Sequence, residues 1–290
     1  MRQRAKRKRL TILLVPILLS MLLPSLALAG DDVEEQLKAN YLDKVLTLRH
    51  FYEGEHLQFQ PDGTLIGPAV VGPWTVDGQI AIKSIEVDGR VLRIRGRRVC
   101  LVFDDKAKTF RDVVTWLAQS KIKDRDTLEE YFRNKDVDVE IELRSEKPDP
   151  AGVSSAMSVV FLASWEPIRD FVPDFWHDYF YQLDGQPRIA PPSSEPVYLV
   201  KPGEVSPPRP TYEPTPELSE EARRAKYRGV VTMSLVVSSS GAVRDLAILA
   251  PLGLGLDEKA VESVSHWRFE PGTRKGKPVA VRIAVEANID

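Results

Sequence analysis

Nine prolines lie between Pro191 and Pro216, namely Pro191, Pro192, Pro196, Pro202, Pro207, Pro208, Pro210, Pro214 and Pro216. Each fixes one backbone angle and removes an amide donor, so the spacing predicts an extended, stiff tether of about 3.1 Å per residue that builds no regular ladder. A chain of 290 residues has room for two modest domains, because single cores serve roughly 100 to 200 residues each. The expected organisation is therefore a leader at 1–29, a domain at 30–190, the proline-rich linker at 191–216 and a smaller domain at 217–290. The fold class expected is α+β throughout.

The leader has its own logic. Arg2, Arg4, Lys6, Arg7, Lys8 and Arg9 precede an apolar run from Leu10 to Leu23. That order holds the amino end on the cytoplasmic side while the run enters the bilayer. Pro24 breaks the run, Ala27-Leu28-Ala29 suits signal peptidase, and Gly30-Asp31-Asp32 gives a polar start to the mature chain. This reads as a cleaved signal peptide. The competing reading is an uncleaved anchor, since Leu10 to Ala29 is about twenty residues, enough to span a bilayer. On both readings residues 30–290 lie in the periplasm, and inner-membrane contact requires the helix to be retained. A formal net charge of -2 gives no field that would concentrate nucleic acid.

In the first domain, Val33, Leu37, Tyr41, Val45 and Leu48 predict an amphipathic helix over 33–49. From Leu57 the period becomes two, and Asp-Gly pairs at 62–63, 77–78 and 88–89 predict hairpin turns among four to six antiparallel strands up to Asp104. Segment 110–118 fits helix or strand. Thr127-Leu128-Glu129-Glu130 has the form of a capping box opening a helix that ends near Asn134. Val137, Val139, Ile141 and Leu143 alternate with charges, as a half-exposed strand does. Residues 153–182 are expected to be mostly helical, and their aromatics from Phe161 to Tyr181 to anchor a core. Cys100, the only cysteine, sits among Val99, Leu101 and Val102, which predicts a buried and unreactive thiol.

After the linker the pattern is helix (217–226), strand (230–237), strand (243–249), helix (256–266) and strand (279–289), an αββαβ unit with helices on one face of a sheet. In and just ahead of it lie several short motifs: Pro210-Thr211-Tyr212, Arg228-Gly229-Val230-Val231, Ser240-Gly241-Ala242-Val243, Leu256-Asp257, Trp267-Arg268-Phe269-Glu270-Pro271 and Gly276-Lys277-Pro278-Val279. Together these resemble the C-terminal domain of TonB-family proteins over about residues 207–290. Trp267 and Phe269 are expected to alternate into the core with Arg268 facing solvent.

The resemblance implies a protein partner, an outer-membrane receptor whose extended peptide pairs with a sheet edge by β-augmentation. The edge it implies is the last strand, through Val279, Val281, Arg282, Ile283, Ala284 and Val285. Energy-transducing members are similar in carrying an N-terminal histidine that meets a motor of the ExbB and ExbD type. Here no histidine precedes His50, which makes an adaptor without energy transduction the alternative. No catalytic or cofactor signature is present: Gly-x-Ser-x-Gly, Ser-x-x-Lys, a phosphate-cradling glycine loop and paired cysteines are all absent. His50, Glu53, Glu55 and His56 cluster, but their spacing matches no zincin pattern, so neither metal nor catalysis is expected.

Overall fold

The computed structural model describes residues 30–186 and 193–290. The expected leader at 1–29, with Pro191 and Pro192, lies outside them. Among the described residues no helix is long and apolar enough to cross a membrane.

Helix α1 (Gly30–Tyr41) is shorter than its spacing predicts. Val33 and Leu37 enter the core, but Asp43 turns the chain at φ 60°, and Val45 passes into strand β1 (Val45–Thr47), with Leu48 just after it. There follow β2 (His56–Phe59), α2 (Trp74–Asp77), β3 (Gln79–Asp88), β4 (Val91–Arg98), β5 (Leu101–Asp104) and β6 (Thr109–Asp112). Next come α3 (Val113–Gln119), α4 (Arg125–Arg133), β7 (Asp136–Glu142), α5 (Pro150–Val160) and, after two short 3-10 turns, α6 (His177–Leu183).

The main sheet has the order β1-β3-β4-β7-β2. The turn at Asp88-Gly89 joins β3 to β4, with Gly89 at φ 58°, and Asp62-Gly63 also makes a tight turn, closed by Gln60 N–H to the Thr64 carbonyl at 2.8 Å. Asp77-Gly78 does not form a hairpin. It ends α2, where the Gly78 amide donates to the Trp74 carbonyl at 3.0 Å. Strand β2 is likewise not part of an antiparallel hairpin stack, because it pairs parallel with β7. The ambiguous segment 110–118 is both structures in succession: Phe110 lies in β6, and α3 starts where the Asp112 side chain accepts from the Val114 amide. Helix α4 starts at Arg125, so Thr127 sits inside it rather than capping it, although its end at Asn134 is as the sequence predicts.

Alternation in β7 buries Val137, Val139 and Ile141 and turns Asp138 and Glu140 toward Arg95 and Arg93 of β4, at 3.5 and 3.1 Å. These exposed pairs set register more than stability. Arg98 ends β4 buried, and its guanidinium donates to the carbonyls of Asp77, Tyr52 and Gly54 at 2.5, 2.7 and 3.0 Å. One side chain thereby ties the loop ahead of β2 to the end of α2. Cys100 is fully buried, and burial pushes its thiol up to about 12.

The C-terminal part contains β8 (Val197–Leu199), β9 (Arg209–Tyr212), α7 (Glu220–Ala225), β10 (Gly229–Val237), β11 (Val243–Ala250) and α8 (Leu256–Ser265). It closes with β12 (Arg268–Glu270), the short hairpin β13 (Thr273–Arg274) and β14 (Lys277–Pro278), and β15 (Ala280–Ile289). The expected αββαβ order is therefore α7-β10-β11-α8-β15, with sheet order β11-β10-β15-β8. The linker departs from expectation. Its described residues are not a free tether: β8 joins β15 and β9 joins β12, with Pro210 opposite Phe269. Proline is tolerated there because both are short strands with a free flank, where a missing donor leaves no ladder bond unmade.

The two parts share one core, in which Trp74, Trp176 and Tyr179 cluster with Ile248, Leu254 and Leu256. Backbone bonds cross the seam: Phe103 N–H to the Leu252 carbonyl (2.7 Å) and Leu254 N–H to the Leu101 carbonyl (2.8 Å). Helix α6 packs on β11 from the same side. The aromatic run is thus core as expected, except Trp165, which is exposed. Gly253 makes the close approach possible: it holds φ 87°, and a Cβ there would lie 2.3 Å from the Leu101 carbonyl oxygen. We expect Gly253→Ala to cost about 1–3 kcal/mol and to open the seam to proteolysis. Gly89→Ala, whose Cβ would meet nothing within 4 Å, should cost less, and thermal denaturation of the two variants side by side checks this.

Candidate functional site: the flank of the last strand

Strand β15 pairs antiparallel with β10 in unbroken register from Gly229↔Ile289 to Val237↔Val281. Its other flank is only partly used. β8 runs parallel along it through Ala280↔Val197, Val281↔Tyr198 and Arg282↔Leu199, and from Ile283 to Ile289 that flank has no strand partner among the described residues. The other terminal strand of the sheet, β11, packs against α6 and the 3-10 turn Asp174–Trp176.

The residues that the sequence singles out divide accordingly. Val279 precedes the strand, and its amide donates to the Gly272 carbonyl at 2.9 Å. Val281 is buried, and β8 lies alongside it. Arg282 reaches back across the sheet to an ion pair with Asp245 and donates to Ser234 Oγ at 3.3 Å. Ile283, Ala284 and Val285 begin the unpartnered stretch, which continues through Glu286 and Asn288, both exposed. The alternation of half-buried Ile283 and Val285 with exposed Ala284, Glu286 and Asn288 leaves a row of backbone donors and acceptors for an added strand, with side chains of both characters beside it.

The comparisons bear on this part of the chain. Residues 214–288 match the family model described as Gram-negative bacterial TonB protein C-terminal. The chain carries a TonB C-terminal domain. A solved structure, the solution NMR structure of the Pseudomonas aeruginosa TonB C-terminal domain, is similar at 20% identity, covering 34% of this chain and 97% of that one with a TM-score of 0.24. No curated protein matches the chain.

Within the TonB domain, the motif residues hold the scaffold. Trp267 and Phe269 are buried with Arg268 exposed between them, as their alternation predicts, and the Trp267 indole donates to the Pro214 carbonyl at 3.1 Å. Gly241 at φ 85° lets the Phe269 carbonyl approach to where a Cβ would sit 2.0 Å away. A Cβ at Gly229 would press on the Leu252 side chain at 2.8 Å. Leu256 is fully buried, Gly276 turns the hairpin ahead of β15 at φ 75°, Pro278 ends β14, Pro271 leads out of β12, and Tyr212 in β9 pairs with Arg268. Asp257 has a role that its motif alone does not reveal. Its carboxyl accepts from the Leu252 and Gly253 amides at 2.8 and 2.7 Å and so shapes the turn that meets β5.

Its neighbour Glu258 faces the seam. One carboxyl oxygen accepts from the Trp176 indole at 2.9 Å, and the other is buried without a hydrogen-bond partner. Burial raises the Glu258 carboxyl above its ordinary value of 4.5. Burial also raises Asp257, with the charge of Glu258 adding to it against the pull of the two amides. The folded state therefore keeps a proton that the unfolded chain has already released, and stability falls as pH rises above the ordinary carboxyl range. We expect the native chain to lose thermal stability as pH rises above the ordinary carboxyl range, and Glu258→Gln to flatten that slope. Melting curves through and above that range check it.

Proposed function

We propose that this is a periplasmic TonB-family binding protein whose C-terminal domain takes up an extended peptide by strand addition along the outer flank of β15. The partner we infer is the peptide segment of an outer-membrane transporter. The observation that carries this reading is the flank of Ile283–Ile289, which has no strand partner among the described residues, in a sheet that already accepts β8 on that same side. Backbone pairing would supply affinity, and the alternating side chains selectivity. The role is binding rather than catalysis.

Between adaptor and force transducer, we favour the adaptor. A transducer that works across the periplasm needs reach, and the described linker residues are folded into the TonB domain as β8 and β9. The domain is docked on its neighbour through a shared core. Coupling to an inner-membrane motor of the ExbB and ExbD type is the second reading, and it requires the leader to be retained as an anchor.

The test uses synthetic peptides copying the periplasm-facing N-terminal segments of outer-membrane transporters from the same cell. Binding is expected to shift the backbone amide signals of Ile283–Ile289 in NMR spectra. Successive amides in a strand point to opposite neighbours, so of Ala284→Pro and Val285→Pro one removes an outward donor and the other a bond to β10. The outward variant should keep its fold and weaken binding by about fivefold, the loss of one hydrogen bond of roughly 1 kcal/mol. Shifts confined to another surface would overturn the assignment of this flank.

A further inference from the structure

Strand β8 is an unusual neighbour for β15. It contributes three residues, and its apolar side chains are not buried: Val197, Leu199 and Val200 are 37%, 70% and 42% exposed. Two anchors hold it besides the backbone. The Arg274 guanidinium lies 4.8 Å over the Tyr198 ring and donates to its hydroxyl at 3.3 Å. Ahead of the strand, Arg244 bonds Glu195 at 3.1 Å and Ser193 at 2.9 Å, and the Ser239 amide reaches Glu195 at 3.4 Å. Pro196, lacking an amide hydrogen, cannot donate to a longer ladder on one side. On the other side the turn from Lys201 to Val205, closed at 2.8 Å, takes the chain off the flank.

The contrast with β10 is one of stability. β10 meets β15 along its whole length and buries Val231, Met233 and Leu235, whereas β8 buries little. Elements with few buried apolar contacts open locally long before the whole fold does. We infer that residues 193–200 are a displaceable strap, an occupant supplied by the chain itself that an incoming peptide must replace to use the whole flank of β15 from Ala280 onward. This rests on the reading of β15 as the peptide-binding strand. The native chain would then bind a peptide more weakly than its intrinsic affinity allows, in proportion to the fraction of molecules with the strap open.

The strap's own sequence is the natural probe. A fluorescent peptide copying residues 193–201 is titrated into the full chain and into the triple variant Ser193→Ala/Glu195→Ala/Tyr198→Ala, which removes both anchors and leaves β15 untouched. An unchanged main unfolding transition shows that the variant folds, and hydrogen exchange is followed at β8, β10 and β15. The expected result is binding about tenfold or more tighter in the variant. In the native chain, whichever of the Tyr198 and Leu199 amides faces β15 should exchange about a hundredfold faster than those of Met233 and Leu235. Equal affinity in both chains, with the peptide protecting Ile283–Ile289, would overturn the strap and leave the binding flank standing. No binding to either chain, while the amides of Ala280–Ile283 that face away from β10 exchange freely in the variant, would overturn the flank as a peptide site and the strap with it.

Discussion

Two backbone hydrogen bonds, from Phe103 to the Leu252 carbonyl and from Leu254 to the Leu101 carbonyl, stitch the turn after β11 to strand β5. The placement of everything beyond them depends on this stitch. It works only because Gly253 brings the two backbones into contact and because Asp257 holds the amides of the same turn from inside. Around it the T-shaped contact of Trp74 with Trp176, centroids 5.4 Å apart, and the indole bond to Glu258 extend one apolar core through both parts. A buried carboxyl in such a place contributes little net stability, but it penalises any other seating of the two surfaces.

This docking changes what the TonB domain is able to do. A domain on a free tether samples a wide volume and finds partners by reach. Here the flank of β15 points in a direction set by the part of the chain before it, so on the proposed reading a partner would be met in a fixed orientation. Arg282, pinned to Asp245 and Ser234, stiffens the strand beside the site. Rigidity of this kind lowers the ordering cost of binding an extended peptide.

Much of the fold was legible in the residues because the signals were local. The β7 alternation, the Asp88-Gly89 turn and the αββαβ order all arise from neighbours a few residues apart. What escaped was non-local. Asp77-Gly78 carries the same two residues as a hairpin turn, yet Trp74 recruits the segment into α2 because its ring packs against Trp176 and Phe110, far away in the chain. Proline density suggested a tether, and nothing within 193–216 announces that Val197–Leu199 would find β15. Of the proposed site, the strand as an element was legible from its apolar alternation, while its use as an edge came from the resemblance. Its occupancy was not legible, since the anchors Arg244 and Arg274 are unremarkable surface cations until the fold sets them beside Glu195 and Tyr198.

The parallel pairing of β8 also carries a meaning in terms of concentration. A segment tethered in the same chain presents itself to β15 at an effective concentration on the order of millimolar, whatever the number of molecules in the envelope. A freely diffusing peptide at micromolar abundance is outnumbered at that flank from the start. Only a segment brought close by some other attachment, such as one belonging to a protein already held against this domain, meets the flank on equal terms. On the proposed reading, geometry in three residues thus favours a partner that arrives already attached over one in solution.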